Sequence, residues 1–276
     1  MAAGAGRPGR RCGSDEVPEL LEIEVYRRAA DAAVGRTIRA VDAPDPWFLK
    51  GGIDAAMVTS ALQRRTITGT RRIGKLLLLD LDRGPTLGLR FGMTGRLVVD
   101  GAAPITELEY GSGRDLPQWD RFTLHLVGGG VVRMNDPRRL GGVELAPDEA
   151  ALGPDAASVT RRQLDAILDA STAPLKARLM DQHRLAGLGN LLTDEILYRA
   201  GLDPARPAGG LGAEERTKLR KTIVATVALL GRRGGSHMGD LQAARVRGGH
   251  CPRDGAELLR RTIGGRTTYS CPLHQT

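Results

Sequence analysis

The feature that most constrains the fold is a change of rhythm near Pro147. Before it, residues 37–41, 67–72, 75–81, 87–91, 96–99, 122–126 and 131–134 are short apolar runs parted by Gly, Pro or Asp. Such runs predict antiparallel strands closed into a β-sandwich or barrel. After it, apolar residues recur at helical spacing over 158–169, 176–184, 190–200 and 214–230. Strands and helices segregated along one chain predict an α+β protein, with 148–155 as the linker between its parts. A further helix is expected over 19–33, opened by Pro18 and stopped by Gly35. The expected organisation is therefore an unstructured leader over 1–16, a β-sandwich with a leading helix over 17–147, a helical part over 148–247 and a small appendage over 248–276.

At 276 residues the chain is long enough to bury a real core. Lys and Arg outnumber Asp and Glu by 40 to 32, a net charge of +8 that favours a polyanionic partner over a small acidic one. Aromatic residues make up 3% of the chain, which argues against an aromatic platform for stacking bases. No apolar run approaches the roughly 20 residues of a membrane span, and no signal peptide is evident, so a cytosolic protein is expected. Cys12, Cys251 and Cys271 are an odd set for disulfides.

Chemistry concentrates in a few places. Pro18 is inert as an internal amide, but as a first residue it is a rigid secondary amine able to attack a carbonyl and form a Schiff base. The Gly/Ala/Arg-rich stretch before Val17 has no apolar periodicity, and a GTG start at position 17 followed by Met removal would expose Pro18. Glu19 beside it either complements the helix dipole or shuttles protons for that amine. Lys75 follows the turn Arg71-Arg72-Ile73-Gly74 and reads alone as a solvated edge residue. Met93 in Gly92–Gly95 and Arg138 in Asn135–Gly141 sit in turns able to supply apolar and cationic wedges between bases. Gly187-Leu188-Gly189-Asn190 reads as a tight turn with an N-cap asparagine and outward amides suited to a phosphate, or else as a plain packing joint. Cys251 and Asp254, then Cys271 and His274, form two knuckles at zinc-ribbon spacing; His250 competes with Asp254 for the fourth place.

Taken in order, these pieces resemble the formamidopyrimidine-DNA glycosylase and endonuclease VIII family of base-excision repair enzymes from Val17 onward. Pro18-Glu19-Leu20 with Glu22, Glu24 and Arg27-Arg28 is similar to that family's catalytic N-terminus, and 181–195 to its helix-two-turn-helix element. The resemblance implies a bifunctional glycosylase and abasic-site lyase acting on damaged double-stranded DNA as a monomer in the bacterial cytosol or nucleoid, with one structural zinc and no organic cofactor. It implies Pro18 as nucleophile, Glu19 as proton carrier, and Lys75, Asn190 and Arg266 as phosphate grips, Lys75 also steadying the active site. Met93 and Arg138 would fill the gap left by a flipped nucleotide, and Cys251, Asp254, Cys271 and His274 would hold zinc.

Departures from the family pattern stand beside this. Leu21 replaces a proline, Arg90-Phe91 replaces His-Leu, Leu140 replaces an aromatic wedge, and Asp254 and His274 replace cysteines. The stretch 236–250 is short for a cap over 8-oxoguanine, so an oxidised pyrimidine or an abasic site is the expected substrate. Two competing readings are an idle binder of distorted DNA, which follows if Pro18 is internal, and a zinc-ribbon transcriptional regulator.

Overall fold

The structure is a computed structural model that describes residues 18–106 and 113–276. The expected leader, Val17 and Cys12 lie outside the described residues.

The short apolar runs form two four-stranded antiparallel sheets. One has the order β1 (Ile38–Asp42), β6 (Asp120–Leu126), β7 (Val131–Asn135), β5 (Arg96–Val99). The other has the order β2 (Ile67–Ile73), β3 (Leu76–Leu81), β4 (Leu87–Arg90), β8 (Gly142–Leu145). Alternation along the strands sends Leu77, Leu79, Leu89, Leu97, Phe122 and Leu124 into one core, the β-sandwich read from the sequence.

The leading helix α1 (Leu20–Ala30) belongs to two cores at once. Ile23, Tyr26 and Ala30 enter the sandwich core. Leu20 and Leu21 enter a second core among α3 (Arg161–Leu168), α4 (Leu175–Met180), α5 (Asn190–Ala200) and α6 (Ala213–Arg233). Both sides therefore grip the residues that follow Pro18.

Helix ends differ from the expectation where local chemistry intervenes. The segment expected as one helix over 19–33 finishes as a 3₁₀ turn, Asp31–Ala33. α4 stops at Met180 because Asp181 turns the chain, its carboxylate accepting the backbone N–H of His183 at 3.0 Å. Helix α2 (Ala55–Leu62), capped by Asp54, went unread because its eight residues carry too little periodicity. The C-terminal appendage is a hairpin of β9 (Leu259–Ile263) and β10 (Arg266–Ser270). No described helix is long and apolar enough to cross a membrane.

Candidate active site and nucleic-acid interface

Pro18 and Lys75 line one small cavity together with Ile23, Arg90, Phe91 and Gly92. Lys75 gets there because the β2–β3 hairpin turns at Gly74, which has φ +54. The turn packs so closely on the helical part that a Cβ at Gly74 would lie 2.6 Å from Ala186 Cβ. Asp155 fastens it, accepting the Gly74 N–H at 2.8 Å and Arg72 Nη1 at 2.5 Å.

Glu19 is fully buried. Its carboxylate caps α5 from outside that helix: Oε2 accepts the Gly189 N–H at 2.7 Å, Oε1 accepts the Leu191 N–H at 2.7 Å, and Oε2 accepts that of Leu192 at 3.2 Å. The glycine turn is thus neither a phosphate cradle nor a plain joint. The Gly189, Leu191 and Leu192 amides point at Glu19, whereas the Gly187 N–H donates to Gln182 Oε1 at 2.9 Å, and α5 starts at Asn190 with Gly189 as the residue before it, correcting the N-cap asparagine reading. Asn190 itself is 6% exposed, and its Oδ1 lacks a hydrogen-bond partner among the described residues.

Burial pushes the Glu19 carboxyl up to about 7; Lys75 opposes this, Glu22 adds to it, and the Gly189 and Leu191 amides oppose it. Burial is the largest of these effects, and Glu22, itself buried, stands nearby and receives the Glu19 N–H at 3.0 Å. Glu22 also accepts the backbone N–H of Ser236 at 2.7 Å and its hydroxyl at 2.8 Å, which ties the 236 loop to the site. The sequence marks Glu22 only as part of the resemblance to the family's N-terminus, since residue 236 is too distant to suggest the bond.

A methyl group at Gly189 has no room: its Cβ would lie 2.5 Å from Glu19 Cδ. Gly189→Ala is expected to lower stability by about 2 kcal/mol or more and to cut activity with it, because Glu19 must leave the helix terminus. Chemical denaturation read beside turnover checks this, and an unshifted midpoint would contradict the packing.

The two wedge turns meet. Asp136 Oδ1 accepts the Thr94 hydroxyl at 2.7 Å and the Arg138 N–H at 3.1 Å, and its Oδ2 accepts the Gly141 N–H at 2.9 Å. Tyr26 donates to the Gly95 carbonyl at 3.3 Å, anchoring the methionine turn to α1. Met93 is half-buried rather than exposed, whereas Arg138 is exposed and its side chain has no hydrogen bond or ion pair among the described residues. Asp136 was not singled out in the sequence; its place before Pro137 was the available signal.

At the far end, one donor atom each from Cys251, Asp254, Cys271 and His274 lies within 4.8 Å of the others. The Arg253 and Leu273 N–H groups each reach the sulfur of the cysteine two residues earlier at 3.4 Å, as in knuckles that hold thiolates. His250 is outside this cluster and pairs by its backbone with Glu257. Two sulfurs, one imidazole and one carboxylate converging on a point are a donor set a tetrahedral metal ion accepts. Arg266 opens β10, and buried Lys176 fixes that strand by donating to the Thr268 hydroxyl at 2.8 Å and the Thr267 carbonyl at 3.2 Å.

Comparison with known proteins agrees with this arrangement. The formamidopyrimidine-DNA glycosylase N-terminal domain model matches residues 17–143, and the formamidopyrimidine-DNA glycosylase H2TH domain model matches 151–238. A formamidopyrimidine-DNA glycosylase of Paracoccus denitrificans is 33% identical over 290 residues, covering 94% of this chain and 100% of that protein. One of Carboxydothermus hydrogenoformans is 32% identical over 271 residues, covering 93% and 98%. Among solved structures, Lactococcus lactis FPG (MutM) in complex with a FAPY-dG containing DNA superposes with a TM-score of 0.78 at 25% identity, over 94% of this chain and 100% of that one. By its domain matches, its full-length relatives and its fold, the chain belongs to the formamidopyrimidine-DNA glycosylase family.

Proposed function

We propose that this protein is a base-excision repair DNA glycosylase with abasic-site lyase activity, acting on damaged duplex DNA. The observation that carries the reading is the fully buried Glu19 carboxyl, pushed up to about 7, between Pro18 and the amides that open α5. A proton carrier poised near neutrality beside an amine-bearing residue suits chemistry in which one group is expelled and a sugar ring opened. The solved complexes of Lactococcus lactis FPG hold FAPY-dG or abasic-site DNA and support the same class of partner.

In this mechanism the damaged nucleotide leaves the stack, and Met93 and Arg138 fill the space. The Pro18 amine, with Pro18 as the first residue, bonds to C1′ while the C1′–base bond breaks and its electron pair leaves with the base. Glu19 gives a proton to the ring oxygen as the sugar opens, leaving an iminium between Pro18 and C1′. Loss of a C2′ proton then expels the 3′ phosphate, a second elimination expels the 5′ phosphate, and water releases Pro18. Lys75, Asn190 and Arg266 hold phosphates around the lesion. The short stretch 236–250 favours an oxidised pyrimidine or an abasic site. The chain divides for this work into 17–147, 148–247 and 248–276 and acts as a monomer in the cytosol or nucleoid. Sodium borohydride with an abasic-site duplex tests the reading: a covalent protein–DNA adduct is expected, and neither adduct nor strand cleavage from a chain that begins at Pro18 would overturn it.

Cys251, Asp254, Cys271 and His274 hold one zinc ion, which shapes a hairpin too small to keep a core of its own. Elemental analysis is expected to find one zinc per chain, and removal by a strong chelator to lower Tm by about 5 °C or more and weaken duplex binding. A metal-free protein with an intact hairpin would contradict the assignment.

A further inference from the structure

Trp47 is 57% exposed, the one aromatic among the exposed large apolar side chains of the described residues. It is held in place. The 3₁₀ turn Pro46–Phe48 is capped by Asp45, whose Oδ1 accepts the Trp47 N–H at 3.1 Å. The same oxygen accepts Arg139 Nη2 at 2.5 Å, so one carboxylate ties Trp47 to the wedge loop. Lys50 Nζ lies 5.1 Å from the indole centroid and donates to the Trp47 carbonyl at 2.6 Å. Leu49 bridges Val143 in parallel, and a Cβ on Gly141 would lie 3.1 Å from the Phe48 ring, so the turn that carries Trp47 packs against the loop that carries Leu140, which is 49% exposed.

We propose that Trp47 is a specificity-determining residue that stacks on the base left unpaired in the undamaged strand, next to the plug made by Arg138 and Leu140. The proposal rests on the glycosylase reading above. Its occupant is nucleic acid because Lys50 lies over the indole, and Asp45 joins the Trp47 turn to Arg139 of the wedge loop, which also carries the exposed Arg138. A flat ring already fixed by its turn loses little freedom on contact, and stacking on aromatics tolerates any base. The 3% aromatic content rules out a platform of several rings, not a single ring placed here.

Equilibrium binding of the protein, begun at Pro18, to a duplex with a stable abasic-site analogue tests the idea, with each of the four bases opposite the analogue. Trp47→Ala and Trp47→Leu are expected to weaken binding about tenfold and to flatten the preference among opposite bases, whereas Trp47→Phe retains most of both. The slope of affinity against salt should stay unchanged, since no phosphate contact is lost. Parental affinity and base preference in Trp47→Ala and Trp47→Leu, with the parent still trapped by borohydride, would overturn the role of Trp47 alone. A parent that neither prefers the analogue duplex nor forms an adduct overturns the glycosylase reading and this proposal together. Thermal melting of each variant separates lost contact from lost fold: weakened binding with parental melting supports the stacking role, and weakened binding that tracks a lowered Tm equally in all three variants, Trp47→Phe included, overturns it.

Discussion

The chain carrying all residues ahead of Pro18 is expected to leave abasic DNA uncut, whereas the same protein beginning at Pro18 forms a borohydride-trapped adduct and cleaves it. An amide nitrogen has its lone pair delocalised into the carbonyl, and a tertiary amide has no proton to lose on attack. The difference in cleavage should be at least about a thousandfold, as for removal of any covalent nucleophile. Duplex binding should change far less, because Lys75, Arg138, Asn190 and Arg266 remain. The full chain then behaves as the idle binder. Lys75 lines the same cavity and also carries an amine, so peptide mapping of the trapped complex matters as much as its yield. An adduct on the peptide that begins with Pro18 supports the assignment, and one on Lys75 sinks it. Pro18→Gly substitutes a flexible primary amine for a rigid secondary one and is expected to lower adduct yield at least about tenfold.

How far the sequence alone reaches depends on whether the physics is local. The sandwich strands were legible because each is a short apolar run bounded by Gly, Pro or Asp, and α5 because its apolar spacing is regular over eleven residues. The donor cluster was legible at Cys251, Cys271 and His274 from knuckle spacing, and only the fold puts Asp254 rather than His250 with them. Long-range bonds were not. Nothing near Gly187-Leu188-Gly189 in sequence announces a carboxylate 170 residues away, so the amides read as open to phosphate when Glu19 fills them. Asp155 on Gly74, Asp136 across the two wedge turns and Asp45 between Trp47 and Arg139 are the same kind of contact. Each is a single acidic residue in a loop. The resemblance suggests where the chemistry lies, and the fold shows that acidic residues from distant parts of the chain hold those turns in register.

Glu19→Gln is expected to lower kcat/KM for base release by about a hundred- to ten-thousandfold and to abolish one limb of its pH profile. The sign follows from the direction of the shift. Glu19 ordinarily titrates at 4.5 and in the fold at about 7, so below about 7 it carries the proton that the ring oxygen needs. Activity in the parent should therefore fall as pH rises through about 7. A protonated Pro18 amine beside it would favour the carboxylate, which places the limb at or below 7 in a chain that begins at Pro18. Linkage runs the same way: a raised carboxyl pKa adds stability below about 4.5 that is lost as pH rises to about 7, so the variant's stability should vary less over that window. Gln keeps the shape but presents an NH₂ where Oε1 or Oε2 now receives an amide of α5, so a loss of activity alone would not separate proton transfer from positioning. The pH profile does. A variant that is slower but keeps the parental limb assigns the titration elsewhere and leaves Glu19 as a cap that holds α5 in place, whereas a flat profile makes it the proton carrier.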